Sequence, residues 1–298
     1  MKKTKNILVT GGNGQLGKTF SNLSKKHPNY NFIFTDIDDF NITNKKDTLR
    51  IVEKTKPDYI VNCAAYTAVD KAETEKKLAL DVNFESVKNL ATTCKHFGIH
   101  FIHFSTDYVY DGSKNTPYTE ESSTNPKNIY GQSKLLGEKA IIDSGCYYTI
   151  IRTSWLYSQY GQNFVKTILK AASKNDILNV VFDQIGSPTF CGDLASIVLC
   201  MIEEERITKT KEIFLYSNEG VASWYDFAFQ ALRINQSHCK VKPIESAQFP
   251  TKAKRPNYSC FNKEKIKNFT KLQIPHWVES LEKCVKLLNE QSGNRKNH

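Results

Sequence analysis

The chain has 298 residues, 40% hydrophobic and 24% charged, which suits a globular protein with a sizeable core in two lobes and excludes a low-complexity chain. Its formal charge of +10 comes largely from lysines scattered along the chain, with no clustered basic stripe and no recognition motif. Nucleic-acid binding is therefore set aside, and a basic solvated surface compatible with an anionic small-molecule substrate is expected. Eight cysteines form no Cys-x-x-Cys pair and no zinc spacing, the start Met-Lys-Lys-Thr-Lys-Asn has no apolar signal region, and no run reaches the length of a membrane span. Reduced thiols, a cytoplasmic location and no membrane partner are the expectations.

In chain order, the β-branched run Asn6 to Thr10 leads directly into Gly11-Gly-Asn-Gly-Gln-Leu-Gly17 and a helical pattern through Leu23. Glycines at 11, 14 and 17 allow a sharp turn, a close approach to a pyrophosphate and tight helix packing, while the helix N-terminus offers amides to an anion. A glycine turn serving only packing is the bland alternative. A second strand, Phe32 to Asp36, closes the unit and brings Asp36 to where a carboxylate accepts hydrogen bonds from an adenosine ribose. That carboxylate repels a 2′-phosphate, and no arginine flanks it, so the cofactor choice leans to NADH over NADPH.

A helical pattern from Asn44 to Lys56 precedes the strand Pro57 to Ala65, whose small terminal residues leave room for a ligand. Asp81 to His96 reads as one long helix and Phe101 to Ser105 as the following strand. This alternation predicts an α/β fold, a doubly wound parallel sheet of the Rossmann type, with Gly11 to Gly17, Asp36, Ala65-Tyr66-Thr67 and Ser105-Thr106-Asp107 along its carboxyl edge.

The helix expected from Asn128 to Ala140 carries Tyr130-Gly-Gln-Ser-Lys134, whose four-residue spacing projects a phenol and an ammonium from one face. Free phenol has a pKa of about 10, and a nearby cation lowers it; three units correspond to roughly 4 kcal/mol. Such a pair also arises by chance as a core tyrosine beside a solvated lysine, so its weight depends on the rest of the chain. Thr106, at a strand end, could hydrogen-bond the same substrate oxygen as Tyr130. Asp107 could orient a sugar hydroxyl or simply start the turn at Asp111-Gly112.

Tyr147 to Thr153 is a further strand leading into Ser154-Trp155-Leu-Tyr157. Asp183 to Thr189 is a turn-rich loop and Asp193 to Glu204 a helix. Past about residue 216 the alternation fades. The sequence thus predicts a dinucleotide-binding Rossmann domain over 1–157, completed by about 188–216, a smaller substrate-binding lobe from 158–187 and 217–290, and a disordered tail at 291–298.

Thr10-Gly-x-x-Gly-x-x-Gly17 with Thr106 and Tyr130-x-x-x-Lys134 resembles the extended short-chain dehydrogenase/reductase superfamily. More narrowly, Asn62-Cys-Ala-Ala-Tyr-Thr-Ala-Val-Asp70, Ser105-Thr-Asp-Tyr-Val-Tyr-Asp-Gly112, Arg152-Thr-Ser-Trp-Leu-Tyr157, Asn163-Phe164, Asp183-Gln-Ile-Gly-Ser-Pro-Thr189 and Arg255-Pro256 resemble the dTDP-4-dehydrorhamnose reductases, from about residue 5 to 288. The resemblance implies reduction of the C4 keto group of dTDP-4-dehydro-L-rhamnose to dTDP-L-rhamnose with NADH or NADPH, in nucleotide-sugar and cell-surface polysaccharide biosynthesis. It makes Tyr130 the proton donor, Lys134 the holder of the nicotinamide ribose that also lowers the tyrosine pKa, and Thr106 a polariser of the carbonyl. Thr106, Asp107 and Trp155 fall at its sugar-nucleotide contacts, although Trp155 could equally be a core aromatic. Its cofactor contacts fall at Gly11, Gly14, Gln15, Leu16, Gly17, Asp36, Ile37, Asn41, Ile42, Ala65, Tyr66, Thr67, Tyr130 and Lys134.

Sugar dehydratases of the superfamily carry Asp-Glu after the threonine, whereas Tyr108 follows Asp107 here, which disfavours their chemistry. Some bacterial members dimerise around magnesium held by glutamates, one in the first helix. Lys18-Thr19 stand there in this chain, so no metal site is carried over, and monomer and homodimer both remain open. Two other readings stay in view: a reductase of a related dTDP-4-keto-6-deoxysugar, and a non-catalytic NAD(P)-binding subunit like the regulatory subunit of methionine adenosyltransferase. The intact Thr106, Tyr130 and Lys134 set favours an enzyme.

Overall fold

A computed structural model describes residues 4–296. Six runs rich in β-branched and aromatic residues form one sheet: β1 (Lys5–Thr10), β2 (Tyr30–Thr35), β3 (Tyr59–Asn62), β4 (His100–Thr106), β5 (Tyr147–Thr153) and β6 (Lys211–Tyr216). Their order is β2-β1-β3-β4-β5-β6 and every pairing is parallel. Strand order reverses at β1, so the crevice beyond its carboxyl end, between β2 and β3, is the switch point where such sheets bind ligands.

Helices α1 (Gln15–Ser24), α2 (Lys45–Thr55), α3 (Ser86–Phe97), α4 (Ile129–Ser144) and α6 (Cys191–Glu203) cover both faces; α5 (Phe164–Ala172) lies between α4 and α6 in the chain but outside this layer. Because neither face meets water, the central strands are largely apolar and do not alternate with solvent-facing polar residues. Ile7 and Val9 pack with Leu194, Val198 and Met201 on one face, while Leu8, Ile60 and Phe101 pack with Val87, Leu90 and Cys94 on the other.

A further apolar cluster joins Val165, Phe227, Trp277 and Leu281, from α5, α7 (Trp224–Ile234) and α8 (Trp277–Lys296), with Tyr157 and Phe190 from the short paired strands Leu156–Tyr157 and Thr189–Phe190. Beside it Ile177–Val181 pairs in parallel with Lys240–Ile244. Strand periodicity is weak there, since Ile177 and most of the partner strand are exposed or only half-buried, and the sequence reading did not find this pair.

Two expectations are corrected. The long helix at 81–96 begins as a π-helical turn, Asp81–Glu85, before α3; the widened turn carries the fully buried Asn83. Residues 291–296 of the expected disordered tail continue α8, whose earlier turns are anchored by Leu281, Cys284 and Val285, and residues 297–298 lie outside the described residues. All eight cysteines are free thiols. Among the described residues no helix is long and apolar enough to cross a membrane.

Candidate active site

The glycine loop leaves β1 with Gly11 at φ +65°, where a side chain is strained, and a Cβ there would sit 2.7 Å from Ala64 N. A Cβ on Gly17 would lie 2.2 Å from Gly11 O, so only glycine lets α1 start this close to the loop. Gly14 caps α1 without any side-chain hydrogen bond, which leaves the amides of the first turn available to an anion. Asp36, just past β2, accepts from Asn13 N at 2.7 Å through Oδ2 and from Ile37 N at 2.8 Å through Oδ1. The carboxylate therefore fixes the glycine loop as well as facing the crevice.

A cavity of about 370 Å³ runs along this edge, lined by Gly11, Gly14, Asp36, Ile37, Asn41, Ile42, Ala65 and Tyr66 among others. The structure thus gathers most of the expected cofactor contacts around one space at the switch point. Thr67 is exposed beyond it, and Gln15 and Leu16 lie on α1, Gln15 donating to Leu156 O at 3.4 Å. Asp36 also borders a second cavity of about 380 Å³, on the α1 side, lined by Lys18, Ser21, Asn22 and Lys25.

The sequence reading missed Asn83. Its amide accepts from Tyr66 N at 2.9 Å and donates to Tyr66 O and to Ser133 Oγ, each at 3.0 Å, bracing the loop after β3 against α4. Gly137 lets α4 come this near, because a Cβ there would meet Asn83 O at 2.3 Å. Nothing local in the sequence marks Asn83; only its burial reveals it.

Helix α4 starts at Asn128, whose side chain accepts from Gly131 N at 2.8 Å and donates to Lys254 O at 2.8 Å. One residue thus caps the helix that carries Tyr130 and ties it to the 250s loop. The Tyr130 ring meets Tyr108 edge-on, with centroids 5.5 Å apart. Thr106 donates to Asp107 Oδ1 at 3.0 Å and accepts from Tyr108 N at 3.2 Å, while Asp107 Oδ2 is buried with no hydrogen-bond partner. Burial pushes the Asp107 carboxyl up to about 6, against the opposing pull of the Ser259 and Thr106 hydroxyls.

The expected electrostatics differ in one respect. Tyr130 is raised, not lowered: burial dominates, the Thr106 hydroxyl offsets part of it, and the Asp107 charge adds to it. Lys134 does not oppose this shift, because its ammonium turns to Phe104 O at 2.6 Å and His103 Nε2 at 3.2 Å. Burial lowers Lys134 to about 8, with the Glu138 charge pulling the other way.

Trp155 is half-buried and stacks on Trp224, ring centroids 3.6 Å apart and 9° from parallel. Its φ of +47° is unusual for a bulky residue, a strain that surrounding structure must hold. Gly186 makes room for the ring, since a Cβ there would approach it to 2.7 Å. Near these rings Phe164, Val180, Gln184, Trp224, Phe249 and Arg255 line a third cavity of about 420 Å³. Arg255 donates to Asp70 Oδ2 at 2.7 Å and to the Tyr108 hydroxyl at 3.3 Å, joining this cavity to the Tyr130 region. Among the described residues no group of three or more His, Cys, Asp or Glu is disposed to hold a metal ion.

Residues 5–290 match the family described as the RmlD substrate binding domain. The dTDP-4-dehydrorhamnose reductase of Aggregatibacter actinomycetemcomitans is 38% identical over 283 residues, 92% of this chain and 96% of that protein. The crystal structure of a dTDP-4-dehydrorhamnose reductase from Clostridium acetobutylicum superposes with a TM-score of 0.90 at 39% identity, covering 95% of this chain and 99% of that one. One from Bacillus anthracis, in complex with NADP, gives a TM-score of 0.90 at 35% identity, with the same coverage of 95% and 99%. With the glycine cradle, the Tyr130 helix and a match along nearly the whole chain all in agreement, this protein belongs to the RmlD family of dTDP-4-dehydrorhamnose reductases.

Proposed function

We propose that the protein reduces the C4 keto group of dTDP-4-dehydro-L-rhamnose to give dTDP-L-rhamnose, using NADPH or NADH. The observation that carries this reading is the placement of the Tyr130 phenol beside the Thr106 hydroxyl, at the carboxyl edge of a sheet whose switch point is a dinucleotide cradle. The bound nicotinamide supplies hydride to C4. Thr106 and Tyr130 hydrogen-bond the carbonyl oxygen, and Tyr130 delivers its proton as negative charge develops there. Lys134 holds the nicotinamide ribose and so keeps the hydride donor in line with C4. The free Oδ2 of Asp107 accepts from a sugar hydroxyl.

The remaining assignments follow the same chemistry. The lobe of residues 158–187 and 217–290 takes the nucleotide end of the substrate: the thymine lies in the third cavity against Trp224 and Phe249, and Arg255 faces the diphosphate. Trp155 borders the sugar. This reaction needs no membrane and places the enzyme in the cytoplasm with the nucleotide sugars. Loss of NAD(P)H absorbance on adding the 4-keto sugar nucleotide tests the reaction, and NMR of the product assigns C4. No turnover by folded protein with either cofactor would reject it.

Cofactor choice is wider than Asp36 alone implies. The ammonium groups of Lys18 and Lys25 make no hydrogen bond or ion pair among the described residues, and both line the cavity that begins on the far side of Asp36. They offset its repulsion of a 2′-phosphate. Replacing both, Lys18→Glu with Lys25→Glu, raises KM for NADPH by about three- to tenfold and leaves KM for NADH within about twofold. Equal effects on the two cofactors would remove this role.

Lys134→Met lowers turnover by about tenfold or more and weakens cofactor binding at the same time, because one residue serves both. Lys134→Arg keeps the charge with a broader fork and rescues only in part. Turnover that requires the ammonium declines as pH rises through its pKa, which lies at about 8 in the cofactor-free protein. Normal kinetics and an unchanged pH profile in the methionine variant would reject the assignment.

A further inference from the structure

Thr10, Asn62 and His103 are lateral neighbours in the sheet. Parallel register pairs Thr10 with Asn62 across β1 and β3, and Asn62 with His103 across β3 and β4. Their side chains share one face of the sheet and are buried, at 1%, 1% and 0% exposure. Thr10 Oγ1 lies 2.6 Å from Asn62 Oδ1, and Asn62 Nδ2 lies 3.0 Å from His103 Nδ1. The row ends on Lys134, whose Nζ is 3.2 Å from His103 Nε2 and 2.6 Å from Phe104 O. Three polar residues in a sheet interior carry a desolvation cost that apolar side chains would avoid, so their arrangement calls for a reason.

Counting protons supplies one. An ammonium has only donors, and a neutral imidazole has one donor and one acceptor, so the ring nitrogen that faces charged Lys134 must be bare. Protonating both nitrogens is resisted, because burial and the Lys134 charge hold His103 well below the usual imidazole range. The single ring proton then belongs on Nδ1, which needs an acceptor from Asn62. If Asn62 offered its NH2 to Nδ1, the proton would be forced to Nε2 and two donors would face each other at Lys134. Amide oxygen and nitrogen have nearly the same shape, so turning the amide to give its oxygen to His103 and its NH2 to Thr10 Oγ1, which then accepts, matches donor to acceptor from Asn62 through His103 to Lys134.

We propose that His103 is the positioning residue of Lys134: held as the neutral Nδ1–H tautomer by Asn62, it accepts from the ammonium at Nε2 and, with Phe104 O, aims the remaining N–H. The charged and titratable groups facing Lys134 are His103 from β4 and Glu138 from α4, the latter held by Arg152 of β5. Asp107 and Tyr108 face Tyr130. The use of the remaining N–H on the cofactor ribose rests on the reading of Lys134 given above; the tautomer does not.

Two measurements test this. Long-range ¹H–¹⁵N correlation of the cofactor-free wild-type protein, with His103 identified by its absence from His103→Gln, shows the Nδ1–H tautomer; an Nε2–H tautomer or an imidazolium at neutral pH overturns the proposal whatever the enzyme's substrate. Kinetically, His103→Leu removes an acceptor that favours the ammonium, so the alkaline limb of the pH–rate profile moves to lower pH, kcat falls by about tenfold and cofactor KM rises. The Oε1 of His103→Gln reaches the place of Nε2, so that variant recovers most of the activity and the wild-type profile. A general packing defect lowers activity equally at every pH and is not relieved by glutamine, and either result rejects the positioning role.

Discussion

Tyr130→Phe lowers turnover by about 10²-fold or more at neutral pH and leaves cofactor affinity within about twofold, because the variant keeps the ring and loses only the acidic proton. The direction of the Tyr130 shift supports this. A donor in a reduction must hold its proton until charge develops on the substrate oxygen, and burial, with the Asp107 charge beside it, keeps the phenol protonated. A tyrosine lowered by Lys134 before substrate arrives would instead suit the reverse oxidation. The Thr106 hydroxyl favours the phenolate and remains in place in the variant, so the loss reports the proton and not the pocket. Steady-state rates with the 4-keto sugar nucleotide, alongside fluorescence titration of NADPH, make the measurement. Turnover within a factor of a few of wild type in folded protein removes Tyr130 from its role.

Glu138→Ala destabilises the fold by roughly 3–5 kcal/mol, the cost of leaving a buried charge without its partner. Arg152 donates to Glu138 through Nε at 3.0 and 3.2 Å and through Nη2 at 2.7 Å, and its Nη1 reaches the Tyr110 hydroxyl at 2.8 Å. The two side chains are 5% and 1% exposed, so solvent screens little of the interaction. The pair ties α4 to β5, the strand next to the one that carries Thr106. Glu138 is also one turn beyond Lys134 and favours its charged form. Removing it therefore lowers the Lys134 pKa as well, and the activity of the surviving folded protein is lost at a lower pH. Replacing both partners together, Glu138→Leu with Arg152→Met, recovers much of the stability because no orphan charge remains. Urea unfolding of the three proteins checks this; a loss of less than about 1 kcal/mol in Glu138→Ala would show that the pair contributes no more than an exposed one.

The sequence by itself determined the features that arise within one or two elements. Glycines 11, 14 and 17 span the turn from a β-branched strand into the first turn of a helix, and backbone sterics leave that arrangement few conformations, so the cradle and Asp36 were legible. Helical spacing alone put Tyr130 and Lys134 on one helix, and strand–helix alternation gave the doubly wound sheet. Tertiary structure decided what those groups do to one another. Same-face spacing implied that Lys134 would act on the phenol, yet its nearest partners, His103 and Phe104 O, come from β4, some thirty residues away in the chain. Strand register alone sets Thr10, Asn62 and His103 in a row, and register depends on every strand together. The same holds for Asn83 under Tyr66, Trp155 on Trp224 and Arg152 with Glu138: each is a contact between distant segments. Local propensity carries no record of such contacts, because burial, and the desolvation that shifts Tyr130 upward and Lys134 downward, exist only once the layers have closed.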